Sequence, residues 1–489
     1  MPNSPTQGKL ILGACLGNCV HVAGILNFLR LAEAKGYSTK FLGPAISIKE
    51  ILDKVKQTNA PIIALSYRLT PKAATRLVKE LKRAAKRRKL LTNRTWLFGG
   101  TTPVVEKVRK LELFNYTFDG STTEEDVLTF LASGCSPERS STSAQSSQRR
   151  IHTKSLLARM EQRSPWPLIR HHFGLPNLDE TIHGIKEIAR SKCLDIISIA
   201  PDQNAQEFFF HPDQMKGSVE GAGGVPIRSE EDLLSLYQAA QQGNYPLLRC
   251  YSGTQDLTRW AGVLQKTIRS AWCATPINWY SVLDGRSKRP LALAIRENIE
   301  NLRWHARNNI PVEVNEPHHW SLRQAHDTIA VAAAYWSAYV AKAVGTRDYI
   351  AQLMMNTPLG VTPAMDLAKM WAKLELVTTL ESNYFMVHRQ VRAGLLSLPV
   401  DLDAAKGQIA ASAYTAMHLK PSIFHVVGFC EADHAATPSD IITSCKIVRQ
   451  VIKECLQDLP NYQLDPRIVQ RKNQLVNEAK ILLKVLMKL

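Results

Sequence analysis

Between residues 9 and 118 the chain alternates short apolar runs, at 9–16, 38–42, 61–66, 95–98 and 116–118, with stretches of helical period, and that alternation admits few folds. A strand that rejoins its sheet after a helix lies parallel to the one before it, through a right-handed crossover. The expected product is a doubly wound parallel sheet with helices on both faces. Ligands of such sheets sit outside the carboxyl ends of the strands, so the residues just past each apolar run matter most. The first run leads into Gly17-Asn18-Cys19-Val20-His21-Val22-Ala23-Gly24, the third into Ser66-Tyr67-Arg68-Leu69, and the fourth into Gly99-Gly100. Three such loops at three strand ends would face one ligand.

The segment from Gly8 to Gly134 resembles the cobalamin-binding domain of the B12-dependent mutases, whose pattern is D-x-H-x-x-G, then S-x-L, then G-G. The resemblance implies a flavodoxin-like fold in which His21 becomes the lower axial ligand of cobalt. Gly24, Ser66, Tyr67, Gly99 and Gly100 would line the tunnel for the displaced nucleotide tail. Cys19 stands where the family has the Asp that orients the histidine, and Arg68 where it has Leu. A carboxylate behind a ligating imidazole fixes its tautomer and raises its basicity, and a thiol does this weakly.

The nine cysteines are scattered, without a C-x-x-C or zinc spacing, and their odd number argues against a disulfide framework, which fits a reducing cytoplasm. The amino terminus lacks a charged stretch followed by an apolar core, and the apolar run 329–340 is short for a bilayer, so no membrane association is expected. A net charge of +18 raises nucleic-acid binding. Much of it, however, falls on helical stretches at 79–94 and 466–489 that lack interleaved aromatics for base stacking. A solvated helix face is the expected reading, and nucleic acid is not an expected partner.

The expected domain limits are 1–134 for the cobalamin-binding unit, 135–163 for a flexible serine-rich tether, 164–460 for a catalytic unit and 461–489 for a basic terminal helix. Candidate strands of the catalytic unit are 194–200, 247–251, 275–280, 312–315 and 424–429, separated by long helical stretches. About 300 residues of strand-plus-helix units suit a (β/α)8 barrel of the triosephosphate-isomerase type, with its remaining strands short or hidden, as at 351–355. The fold class is therefore α/β, a flavodoxin-like domain followed by a barrel.

Chemistry in a barrel sits where strands end. Arg249 and Tyr251 are the candidate substrate anchors on one strand, and Glu431, Asp433 and His434 follow the last. Arg249 suits a carboxylate, Glu431 or Asp433 an amine, and His434 or His318 a proton transfer. The glycine-rich stretch with Glu220 and Gly223 could bring backbone close to a cofactor. These stretches resemble the barrel subunits of lysine and ornithine aminomutases. Together the two resemblances imply an adenosylcobalamin-dependent radical isomerase acting on a small polar, amino-acid-like substrate, with the cobalamin domain capping the barrel mouth. Pyridoxal phosphate is not expected, because the family's lysine position is Ala32 and the nearest lysine is Lys35. A corrinoid methyltransferase and a non-catalytic cobalamin carrier or sensor remain open readings; a zinc hydrolase fits less well. A homodimer is an open possibility.

Overall fold

The computed structural model describes residues 9–122, 124–133, 155–285, 287–392, 394 and 396–488, less the side chains of 124 and 125. They fall into two compact units, 9–133 and 155–488. Most of the serine-rich tether expected at 135–163 lies outside the described residues.

The first unit is a five-stranded, all-parallel sheet of β1 (Leu10–Cys15), β2 (Ser38–Phe41), β3 (Ile62–Ser66), β4 (Thr95–Gly99) and β5 (Tyr116–Phe118), in the order β2-β1-β3-β4-β5. Both faces of β1 and β3 are buried, because helices cover the sheet on each side; this is why the sequence of β3 reads as an unbroken apolar run. The basic helix Pro71–Arg87 turns Ala74, Val78, Leu81 and Ala85 inward, and its lysines and arginines occupy the remaining faces.

The second unit is an eight-stranded parallel sheet, rolled into a nearly closed barrel. Its strands are β6 (Leu168–Phe173), β7 (Ile196–Ile199), β8 (Leu247–Cys250), β9 (Cys273–Thr275), β10 (Val312–Val314), β11 (Asp348–Met354), β12 (Met386–Arg392) and β13 (Ile423–His425), ordered β8-β7-β6-β13-β12-β11-β10-β9. A backbone bond from the Ala271 N–H to the Leu248 carbonyl, 2.9 Å, crosses the seam between β8 and β9. The terminal helix Pro466–Leu486 is part of the outer layer, burying Leu475, Val476 and Ala479 with Val331 and Ala372 of neighbouring helices. Among the described residues no helix is long and apolar enough to cross a membrane.

Two strands missing from the expected set, β6 and β12, fill the gap in the ring. The expected strands 275–280 and 424–429 are corrected: the first ends at Thr275 and the second runs from Ile423 to His425. Past Thr275 the amides of Ile277 and Asn278 donate to the Glu316 carboxylate at 2.7 and 2.8 Å instead of to a neighbouring strand.

Candidate functional site

In the first unit the ends of β1, β3, β4 and β5 surround a cavity of about 400 Å3. His21, Gly24, Ser66, Arg68, Gly99 and Gly100 all line it, so the three loops converge as their order implied. The loop carrying His21 is pinned by backbone bonds from Leu16 N–H to the Ser66 carbonyl (2.9 Å), from Gly17 to Ile46 (2.8 Å) and from Ala45 to Cys19 (2.9 Å). Gly17 has φ +65°, and a Cβ there would strike the Leu77 side chain, so both conformation and space require glycine.

His21 is exposed, and its Nδ1 lies 3.9 Å from the Cys19 sulfur. The other ring nitrogen has no partner among the described residues and is the one left to a ligand. A Cβ added at Gly24 or Gly99 would meet no atom within 4 Å, so both glycines border open space in the lining. Gly100 also lines the cavity, and its Cβ would lie 2.5 Å from the Tyr67 carbonyl, so close backbone packing requires glycine there. An unpartnered imidazole nitrogen beside a glycine-lined cavity fits a corrin with a nucleotide tail. Cys19 and Tyr67 do not line the cavity. Both are buried, and the Tyr67 hydroxyl donates to Asn18 Oδ1 at 3.2 Å, bracing the loop from behind. Burial pushes the Cys15 thiol up to about 11, with Cys19 adding to the effect.

The barrel interior is layered. Side chains alternate along a strand, so Leu168, Ile196, Leu247, Ile350 and Ile423 share the inward face with residues two positions further on. These apolar residues, with Trp272, Ala274 and Leu156, form the floor. Above it stand Arg170, Ser198, Arg249, Gln352 and His425, and then His172 and Arg392. Charge is concentrated in this upper part. Arg170 donates through Nε to Ser198 Oγ (2.7 Å), through Nη1 to Gln390 Oε1 (2.6 Å), and through Nη2 to His172 Nε2 (3.2 Å). Glu313 Oε2 is 3.6 Å from Arg170 and accepts from the Trp272 indole at 2.8 Å.

Arg249 is 1% exposed, and among the described residues its Nε and Nη2 have no hydrogen-bond partner; neither has Arg392 Nε. Buried N–H groups are normally satisfied, so unmet donors on two guanidiniums mark a place where an anion belongs. Burial lowers the Arg170 and Arg392 guanidiniums from their usual range. Burial, then the Arg170 and Arg392 charges, holds the His172 and His425 imidazoles well below their usual range, so both are neutral. Since Arg170 donates to His172 Nε2, the neutral ring carries its hydrogen on Nδ1. That nitrogen is 3.1 Å from Tyr251 Oη, which leaves the Tyr251 hydroxyl hydrogen available to a ligand.

The remaining expected residues divide into two sets. Glu431, Asp433 and His434 are exposed on the rim after β13, while Arg249 lies inside; Arg392 feels both Glu431 and Glu313 as counter-charges. Glu220 and Gly223 belong to the second unit, where Glu220 pairs with Arg228 at 2.5 Å and a Cβ added at Gly223 would meet no atom within 4 Å. Gly224 packs against the Ala200 carbonyl and Gly221 against Pro176, so these glycines serve a tight turn. Asp202 likewise caps the helix Gln203–Phe208 and holds Arg228. Arg170, His172, Arg392 and His425 lie within the strands and not on the loops after them, and so are absent from the expected set. The signal was the two-residue spacing of Arg170 with His172 and of Gln390 with Arg392.

Residues 9–126 match the B12 binding domain family, so the first unit carries a B12-binding domain. No curated protein matches the chain. Among solved structures, a cobalamin-binding protein from Desulfitobacterium hafniense DCB-2 is 28% identical over 26% of this chain and 57% of its own, with a TM-score of 0.23. The chain thus spans little more than half the length of that protein. A truncated 3-deoxy-D-arabino-heptulosonate 7-phosphate synthase from Thermotoga maritima is 12% identical, covering 60% of this chain and 87% of its own, with a TM-score of 0.32. Yersinia pestis DHPS, solved with a pterine-sulfa conjugate, is 12% identical over 60% and 94%, with a TM-score of 0.34.

Proposed function

We propose that the chain is an adenosylcobalamin-dependent radical isomerase of a small, amino-acid-like carboxylic acid. The observation that carries this reading is the barrel interior. Arg170 and Arg249 are buried there and Arg392 is half-buried, and among the described residues two of the three keep unmet N–H donors. Bound adenosylcobalamin supplies a carbon-centred radical by homolysis of its cobalt–carbon bond.

The residues of this chain do the rest. His21 would hold the cofactor's cobalt through a ring nitrogen. Arg249 holds the substrate carboxylate, its planar fork matching two oxygens. Arg392 supplies a further donor. The Tyr251 hydroxyl, with its hydrogen free, orients a second polar group of the substrate. Neutral His172 and His425 line the interior without adding charge. The apolar floor from Leu168 to Ile423 closes the far end to water, which favours a radical's survival.

The test is anaerobic turnover with adenosylcobalamin over a panel of amino, hydroxy and dicarboxylic acids, read by electron paramagnetic resonance. The expected result is an organic radical coupled to cob(II)alamin with one acid, lost in Arg249→Ala. Nitrogen hyperfine coupling from a labelled imidazole should disappear in His21→Ala. Full activity in Arg249→Ala would overturn the substrate assignment. Methyl transfer without a radical signal would replace the isomerase with the corrinoid methyltransferase.

A further inference from the structure

We propose that Cys430, His434 and Asp440 form a binding site for a first-row divalent metal ion, zinc foremost, on the barrel rim after β13. This inference is independent of the cobalamin reading.

The backbone fixes both ends of the loop. Glu431 N–H donates to the Gly428 carbonyl at 3.1 Å, and the N–H groups of Asp433 and His434 both donate to the Cys430 carbonyl at 2.9 Å, which sets Cys430 and His434 one turn apart. Asp440 lies in the first turn of the helix Pro438–Cys455, where it forms a capping box with Thr437. The Cys430 sulfur, a His434 ring nitrogen and an Asp440 carboxylate oxygen all lie within 4.8 Å of one another.

Zinc–sulfur and zinc–nitrogen bonds of about 2.3 and 2.0 Å in a tetrahedral site put ligand atoms roughly 3.2–3.6 Å apart. His434 Nε2 and Asp440 Oδ2 are 3.1 Å apart, close to that spacing, and among the described residues Asp440 Oδ1 accepts no hydrogen bond. On the far side of the ring, Asp433 Oδ2 lies 2.6 Å from His434 Nδ1. A ligating histidine commonly donates its second N–H to a carboxylate in this way, which sets the tautomer and strengthens the ligand.

The donor set of thiolate, imidazole and carboxylate suits zinc or cobalt and not magnesium or calcium, which take oxygen. Three protein ligands leave a fourth position. The exposed side of His434 opens it to water or to a small anionic ligand at the mouth. A capping box and a histidine–carboxylate pair would need no sulfur; Cys430, buried and in no disulfide, is the residue that separates a metal site from a plain ion pair.

The experiment uses the full chain, cobalamin-free and stripped with a chelator, titrated with Zn2+ and with Co2+ as a spectroscopic reporter. One equivalent should bind, and the Co2+ form should show a thiolate-to-metal charge-transfer band. Cys430→Ser should lose the band and weaken binding by more than the roughly 10- to 100-fold expected for Asp433→Asn, which keeps all three ligands. Wild-type protein that binds less than one equivalent, or a Co2+ adduct with no thiolate band, would overturn the site, and neither result depends on a variant folding. Equal affinity in wild type and a folded Cys430→Ser would overturn it as well.

Discussion

Arg170 and Arg249 both stand over the indole of Trp272, their guanidinium carbons 5.0 and 5.1 Å from its ring centroid. The aromatic face gives each cation a partner that cannot neutralise it. Glu313 balances one charge, 3.6 Å from Arg170, and Arg392 adds a third guanidinium to the same interior. Buried like charges destabilise a free protein, so the arrangement persists most readily if a bound anion relieves it.

Small carboxylates should therefore raise the melting temperature. At a concentration 100 times its dissociation constant, a ligand specific for the folded state adds ~2.7 kcal/mol. Arg249→Met should abolish the response and leave the ligand-free protein as stable as before or more so, because a like charge has gone. Arg249→Lys keeps the charge but not the fork, and should recover little of the response. Calorimetry over a series of mono- and dicarboxylates decides it; an equal shift in wild type and Arg249→Met would place the anion elsewhere.

The buried histidines make the protein labile to acid. Burial lowers His171 and His305 to about 4, and His172 and His425 fall well below their usual range. An unfolded chain protonates these rings near pH 6.5 while the folded one does not, so it binds more protons below that point. Stability should be complete above pH 6.5 and fall as pH drops toward 4. The slope of unfolding free energy against pH from urea melts measures it. His305→Gln, away from the arginines, should flatten the slope; an unchanged slope would mean that His305 is protonated in the fold.

The first unit was legible because its sheet is covered on both faces. Ile62 to Ser66 is buried throughout, and such a strand reads as one apolar run ending at its site loop. The barrel was legible in its helices and hidden in two strands. β6 reads Leu-Ile-Arg-His-His-Phe, because Arg170 and His172 point into a charged interior, and β12 carries His388, Gln390 and Arg392 for a related reason. A barrel strand that builds a polar site loses the apolar signature by which strands are found. Tyr67, expected from its loop motif to meet a ligand, is a buried ring whose hydroxyl donates to Asn18 Oδ1 behind the loop.

Lys373 predicts stabilisation by removal of a charge. It is fully buried on the helix Pro363–Thr378, its Nζ without a hydrogen-bond partner, and burial followed by the nearby Lys369 lowers it to about 7 despite Asp366 and Asp327. The unfolded chain binds more protons between pH 7 and 10.5, so stability from this group rises with pH across that window, and its penalty is full below pH 7. Lys373→Met should stabilise the protein by ~2–4 kcal/mol near neutrality, with the gain shrinking toward pH 10. Urea melts at pH 6.5 and 9.5 test it, and a gain independent of pH would show packing rather than charge at work.

Cys19→Asp sets two effects of opposite sign against each other. The side chain is buried, beside the Cys15 thiol and near Tyr67, whose hydroxyl is raised by burial and by Cys19. A carboxylate there lacks water and should cost the cobalamin-free domain ~1–3 kcal/mol. The same carboxylate would face His21 Nδ1, where the sulfur now lies 3.9 Å away, and accept its hydrogen. An oriented, more basic imidazole should bind cobalt about 10- to 100-fold more tightly. Titration calorimetry with cobalamin and denaturant melts of the free protein separate the two. Lower stability with higher affinity is the expected pair; lower stability with unchanged affinity would mean that residue 19 does not govern the ligand histidine.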